Sequence, residues 1–160
     1  MNIKIISKNQ IKKTGTLVIP LFEDIPLSKL PENILDKTIK NHVSNIIKQI
    51  NDYKSIGKIN ISPIINHNNY NNILILGLGN SKKLSMNTFR STFSEATRKL
   101  RDLFSKNIYF LSMENLYQNN SPIEFGQAIA ESVYLGLYEF NKYKSQIENI
   151  NIQNIFILEE

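Results

Sequence analysis

Cysteine is missing from all 160 residues. Its absence excludes a disulfide framework, a thiolate metal site and a cysteine nucleophile, and it fits a reducing compartment. Nothing approaches the roughly 18 consecutive apolar residues of a membrane span. Residues 1–13 are a short apolar strand followed by polar and basic residues, with no small-residue cleavage site, so a secretory leader is not expected. These absences read as a cytoplasmic protein without a membrane partner. Histidine is also scarce. His42 and His67 are the only two, and neither has a carboxylate or second histidine at ligand spacing. Both read as surface or partly buried side chains rather than metal ligands. Gly-x-Ser-x-Gly, the nucleophile elbow, does not occur.

What remains has the make-up of a globular domain. Apolar residues are 41% and charged residues 21% of the chain, ordinary proportions for a packed protein. A chain of this length suits one domain, 1–160, that buries about 70% of its unfolded surface. The formal charge is +5, from 19 Lys and Arg against 14 Asp and Glu. The excess is compatible with nucleic acid, but the basic residues are scattered. Their densest cluster, Arg98, Lys99 and Arg101, shares a helix with Glu95 and Asp102 and reads as a solvated face. The abundance of Ile, Asn and Lys reads as the mutational drift of an AT-rich genome.

Patterning predicts alternating strands and helices. Residues 2–6 alternate weakly as a first strand. Thr16–Phe22 is a continuous apolar run, suited to a strand buried on both faces. Pro31 suits a first helical position, and Leu35, Ile39, Val43, Ile46 and Ile50 form one stripe of a helix over about 31–51. Lys58–Ile65 reads as a strand placed at an edge or bulge by Pro63. After a polar turn at 67–72, Ile73–Leu78 reads as a central strand. Ser85 is the expected N-cap of a helix to about 105 whose buried face is Phe89, Phe93, Ala96, Leu100 and Leu103. A strand at 107–112, a helix opened by Pro122 with Phe125, Ile129 and Val133 inward, and a strand at 152–158 complete the chain. The expected class is α/β, with a mixed, mostly parallel sheet flanked by helices.

Candidate chemistry is thin. Gly77-Leu78-Gly79 follows a strand and precedes a helix, where α/β sheets bind phosphates. The dinucleotide fingerprint needs a third glycine where Lys82 stands, so a tight turn is the plainer reading. Glu23-Asp24 follows a strand end, where carboxylates could act, but no complementary acid, base or metal cluster accompanies it. Glu131, Tyr138, Glu139, Phe140, Tyr143 and Lys144 form a dense amphipathic segment that suits either core packing or an interface.

Four stretches together carry a resemblance. Leu17–Ser28 (LVIPLFEDIPLS), Asp52–Lys58 (DYKSIGK), Ile73–Gly79 (ILILGLG) and Ala130–Ser145 (AESVYLGLYEFNKYKS) resemble, in order and spacing, the N-terminal domain of the leucine (cytosol) aminopeptidase family. Arg90 also lies where that family commonly has an Arg. Two positions depart: Ser55 replaces a turn glycine, and Ser132 replaces the glycine after Ala-Glu. The resemblance implies a macro-domain-like three-layer fold without catalytic, cofactor or metal residues of its own. It further implies a larger C-terminal domain holding a pair of divalent metals, zinc or manganese, and assembly into homohexamers. The family's Asn-Thr-Asp-Ala-Glu-Gly-Arg signature is absent from this chain. The implied role is that of a non-catalytic domain of a leucyl aminopeptidase serving assembly or partner binding, the partners being its own C-terminal domain and other subunits. Alternatives are a macro-like ADP-ribose module, with Gly77 and Gly79 at the diphosphate, and a DNA-binding accessory domain.

Overall fold

The computed structural model describes residues 2–103, 105–112, 121–138 and 152–159. The strands are β1 (Asn2–Ser7), β2 (Gly15–Leu21), β3 (Ile59–Pro63), β4 (Tyr70–Gly77), β5 (Asn107–Leu111) and β6 (Asn154–Glu159). The helices are α1 (Lys37–Gln49), α2 (Met86–Asp102) and α3 (Pro122–Leu137). One sheet runs in the order β1-β6-β5-β2-β4-β3. Every neighbouring pair is parallel except β3–β4. The mixed, mostly parallel α/β sheet expected from the pattern is the one observed.

Alternation along the interior strands sorts the core into two layers. Val18, Leu74, Leu76, Phe110 and Ile155 face α2 and α3. Leu17, Ile19, Ile73, Ile75 and Tyr109 face α1. All seven residues of β2 are buried, as its uninterrupted apolar run requires. Pro20 has no N–H to give a ladder, and β2 pairs with β5 only over Thr16–Val18, so Pro20 falls beyond that pairing. Pro63, likewise, sits at the end of the edge strand β3.

Local chemistry sets the helix starts. Ser85 accepts a hydrogen bond from the Thr88 N–H and opens α2. Ser121 and Glu124 form a reciprocal capping box ahead of Pro122 at the first turn of α3. The first helix departs from expectation: it begins at Lys37, not near Pro31. Pro31 instead opens a turn closed by the Leu35 N–H to the Pro31 carbonyl at 3.0 Å. Asp36 then takes an extended backbone and accepts from the Ile39 N–H. A carboxylate in that position satisfies an otherwise orphan helix N–H, so the helix starts there. The turn still buries Ile34 and Leu35 at 1% and 2% exposure, which is why the apolar stripe extends upstream of the helix. β4 begins three residues earlier than its apolar run, because Tyr70 is buried and pairs opposite Gly15.

The layer beneath α2 and α3 is aromatic. Phe93 stacks on Phe89 with centroids 4.2 Å apart and meets Phe110 at 5.3 Å. Phe93→Ala should cost about 3–5 kcal/mol, read as a lowered denaturant midpoint. Ile65→Ser, at a side chain 79% exposed, should stay within about 0.5 kcal/mol of the parent.

Candidate functional site

In open α/β sheets, ligands bind beyond the carboxyl ends of strands whose connections leave to opposite faces. β2 leads toward α1 on one face, and β4 leads to α2 on the other. The candidate glycines, Gly77 and Gly79, and the candidate acids, Glu23 and Asp24, all lie at this end. Residues 113–120, which follow β5, lie outside the described residues, as do Glu139, Phe140, Tyr143 and Lys144 of the amphipathic segment.

The glycine loop is filled by the chain itself. The turn at 52–58 lies directly over it. The Gly77 N–H donates to the Lys58 carbonyl (2.8 Å), Leu78 N–H to Leu21 (2.9 Å), and Gly79 N–H to Lys54 (2.7 Å). The Gly57 N–H donates back to the Gly77 carbonyl at 3.0 Å, and the Glu23 N–H to the Gly79 carbonyl at 2.9 Å. A side chain at Gly77 would stand 2.2 Å from the Ser55 carbonyl oxygen. Glycine is there to let two backbones touch. Gly79 has φ +69°, and a side chain there would meet Ile56 at 2.5 Å. All three N–H groups that could cradle a diphosphate are therefore spent. The loop also does not run straight into α2: a short 3-10 turn at Ser81–Lys83 intervenes.

Glu23 and Asp24 separate in role. Asp24 accepts from the Ser81 N–H (2.8 Å) and the Ser81 hydroxyl (2.6 Å), tying the end of β2 to the 3-10 turn. Burial pushes the Asp24 carboxyl upward, but the Ser81 bonds and the Lys82 charge outweigh it and hold it below the ordinary carboxylate value. Glu23 borders a shallow hollow of ≈ 330 Å³ with Asp52, Tyr53, Lys54 and Ser55. The Lys54 ammonium donates to the Ile25 carbonyl at 3.1 Å and to the Glu23 carbonyl at 3.5 Å. Nothing in the hollow pairs a nucleophile with a base.

The histidines lie apart from this end. His42 on α1 meets the Ser62 hydroxyl at 3.1 Å. His67 gains from the fold a carboxylate that its sequence neighbours do not supply: Nε2 lies 3.0 Å from Asp36 Oδ2. Nδ1 accepts from the Asn69 and Tyr70 N–H groups at 3.2 Å, so Nε2 carries the proton and donates to Asp36. The ring stacks on Tyr70. Only folding brings together residues 31 positions apart. The available signal was Asp36 as a helix cap with a second oxygen to spare. Burial raises the Asp36 carboxyl, but the Ile39 N–H, His67 and Lys8 outweigh it, and it lies below the ordinary value. For Tyr70, burial, then Tyr109 and Asp36, push the phenol far up.

No group of three or more His, Asp or Glu able to hold a metal occurs among the described residues. The nearest donors are already committed: Asp24 to Ser81, and His67 at both nitrogens. Arg90 meets Glu131 at 2.5 Å, joining α2 to α3. Ser132, the departure from the family glycine, is fully buried, donates to the Ala128 carbonyl, and offers its own carbonyl to Ser94. Arg98 and Arg101 pair with Glu95 and Asp102, as expected for a solvated helix face.

Gly77→Ala should force the 52–58 turn off the strand end and destabilise by at least about 1–3 kcal/mol in denaturant melts. Gly126→Ala, with open space around it, should be neutral or stabilising by up to about 1 kcal/mol. Asp24 and Asp36 are lowered in the folded state, so their contribution is complete above the unfolded value near 3.9 and is lost as pH falls through the lower folded values. Asp36→Ala should cost about 0.5–2 kcal/mol at pH 7 and flatten the acid limb of a stability–pH titration.

A family model, the N-terminal domain of the cytosol aminopeptidase family, matches residues 18–146. The chain is 31% identical over 144 residues to a protein of Clostridium perfringens named "Probable cytosol aminopeptidase", covering 88% of this chain and 27% of the relative. A protein of the same name from Sulfurihydrogenibium sp. is also 31% identical, with 89% and 28% covered. The chain thus spans little more than a quarter of these relatives. Among solved structures, a tomato leucine aminopeptidase mutant superposes with TM-score 0.71 at 18% identity, over 99% of this chain and 32% of that one. The bottromycin maturation enzyme BotP in complex with Mn superposes at 0.62 and 14%, over 89% and 26%. These two share the fold. With a family match over residues 18–146 and two relatives 31% identical over 88–89% of its length, the chain belongs to the cytosol aminopeptidase family as its N-terminal domain.

Proposed function

We propose that this chain, 1–160, acts as a single accessory domain of a metal-dependent leucyl aminopeptidase and carries no catalytic, cofactor or metal residue. The parent protein removes N-terminal amino acids from peptides in the cytoplasm. Its divalent metals, zinc or manganese, sit in a separate catalytic domain, and this domain serves subunit assembly or partner binding within a homo-oligomer. One observation carries the reading: the family match is confined to the N-terminal domain, and the chain spans only 27–28% of its relatives. Supporting it, the motifs that mark the family are spent on internal packing. Gly77, Gly79, Lys54 and Asp24 bind other parts of this chain. The ADP-ribose alternative needs loop N–H groups that are already bonded.

The test is leucine release from Leu-p-nitroanilide with Mn²⁺ or Zn²⁺, comparing the 160-residue chain with the same gene product read to its natural stop codon. The expected result is turnover by a longer product only. Turnover by the 160-residue chain itself would overturn the reading and make Glu23, Asp24, His42 and His67 the first residues to substitute.

A further inference from the structure

The turns that delay the start of α1 leave a space beside it. Between the segment 27–35 and α1 lies a cavity of ≈ 150 Å³. Its apolar walls are Leu27, Leu30, Leu35 and Val43. Leu30, Leu35 and Val43 are at most 6% exposed, so carbon lines the interior. The polar groups collect on one side. Lys40, Val43 and Ser44 lie three and four apart on α1 and share a face. Lys40 and Ser44 are half-buried, and Ser28, from the 3-10 turn at Leu27–Lys29, is exposed. These three complete the lining, so an ammonium and two hydroxyls stand at the mouth. The Lys40 ammonium meets the Glu32 carboxylate there at 2.8 Å, and the Glu32 side chain is 83% exposed.

Size and charge together select what such a space takes. An apolar cavity of about 150 Å³ holds one benzene-sized body, and its walls gain contacts that a void denies them. The mouth offers hydrogen-bond donors and a positive charge, which suit a carboxylate. We infer that this cavity is a binding site for a small aliphatic monocarboxylate. The hydrocarbon body, about five carbons by the size of the space, lies against Leu30, Leu35 and Val43. The carboxylate meets Lys40 and the Ser28 and Ser44 hydroxyls. The Lys40–Glu32 pair already places a carboxylate on this ammonium. An exposed pair of that kind contributes little, so a ligand carboxylate anchored by buried carbon displaces Glu32 into water. The site uses none of the groups at the carboxyl ends of β2 and β4, and it stands independently of the accessory-domain reading.

The probe is isocaproate, titrated at pH 7 into the 160-residue protein and followed by methyl NMR. Saturable shifts should centre on the Leu30, Leu35 and Val43 methyl groups, with Kd on the order of 1 mM. Isocaproamide keeps the body without the charge and should bind about fivefold more weakly. Acetate keeps the charge without the body and should bind at least about tenfold more weakly. Lys40→Met should erase the preference for acid over amide. Glu32→Gln removes the competing carboxylate and should tighten the acid about twofold to fivefold, leaving the amide unchanged. Ser44→Phe, at a half-buried helix position, should fill the cavity and abolish binding of both, with circular dichroism showing the fold intact. Lys40 and Glu32 reach solvent, so their variants keep the test alive should Ser44→Phe fail to fold. Absence of saturation at about ten times the expected Kd overturns the site. Equal affinity for acid and amide in the parent protein, or acetate binding as well as isocaproate, overturns the ligand class. Binding that survives a folded Ser44→Phe, or shifts confined to other methyl groups, places the ligand elsewhere and overturns the assignment.

Discussion

A strand buried on both faces has to be paired on both edges, because its N–H and C=O groups have no water to turn to. β2 is that strand here. All seven of its residues are buried, and it lies between β4 and β5. Much of the architecture follows from satisfying it. Two helical layers must cover its two faces, so α1 takes one and α2 with α3 the other. Its partners run parallel, so each needs a crossover, and the loops collect at the ends of the sheet. The outermost strands are what the core can spare: β1 with Ile5 59% exposed, and β3, antiparallel and ending in Pro63.

At the carboxyl end of β2 and β4 the same demand recurs on a smaller scale. Two stretches of backbone, 52–58 and 77–79, lie in contact and satisfy one another. Contact that close excludes side chains, which accounts for Gly77, and the reversal after β4 accounts for the positive φ of Gly79. A place that in other α/β sheets receives a phosphate is occupied here by the protein's own turn. The family motifs are thus the mating parts of a frame. Leu17–Ser28 meets Ile73–Gly79 through the Glu23 N–H and the Leu21 carbonyl, Asp24 holds Ser81 just beyond, Asp52–Lys58 closes over the glycines, and Arg90 reaches Glu131 across the helix layer. The positive φ values of this turn fall at Asp52 and Gly57 and not at Ser55, so a side chain at 55 meets no left-handed backbone there.

Polar residues at the opposite end of the sheet do comparable work. Asp36 caps α1 with one oxygen and holds His67 with the other, and His67 in turn accepts the N–H groups that lead into β4. That constellation pairs an acid with an imidazole. Both nitrogens of the ring are committed to structure, so the pair fastens a helix start to a strand start and leaves no nitrogen for a substrate.

Class, strand count and most helix bounds were legible in the sequence because they depend on local periodicity and caps: the uninterrupted run of β2, Ser85, and Ser121 with Pro122 and Glu124. The membership of the family was legible too, because four weak motifs in fixed order are specific together. The start of α1 was misread, since an apolar stripe reports burial and not helicity, and Ile34 and Leu35 are buried in a turn. The partnership of Asp36 with His67, the sealing of the glycine loop, and the bond from Arg90 to Glu131 were beyond reach. Each joins residues at least 19 positions apart, and only the packing of layers around β2 decides which distant groups meet.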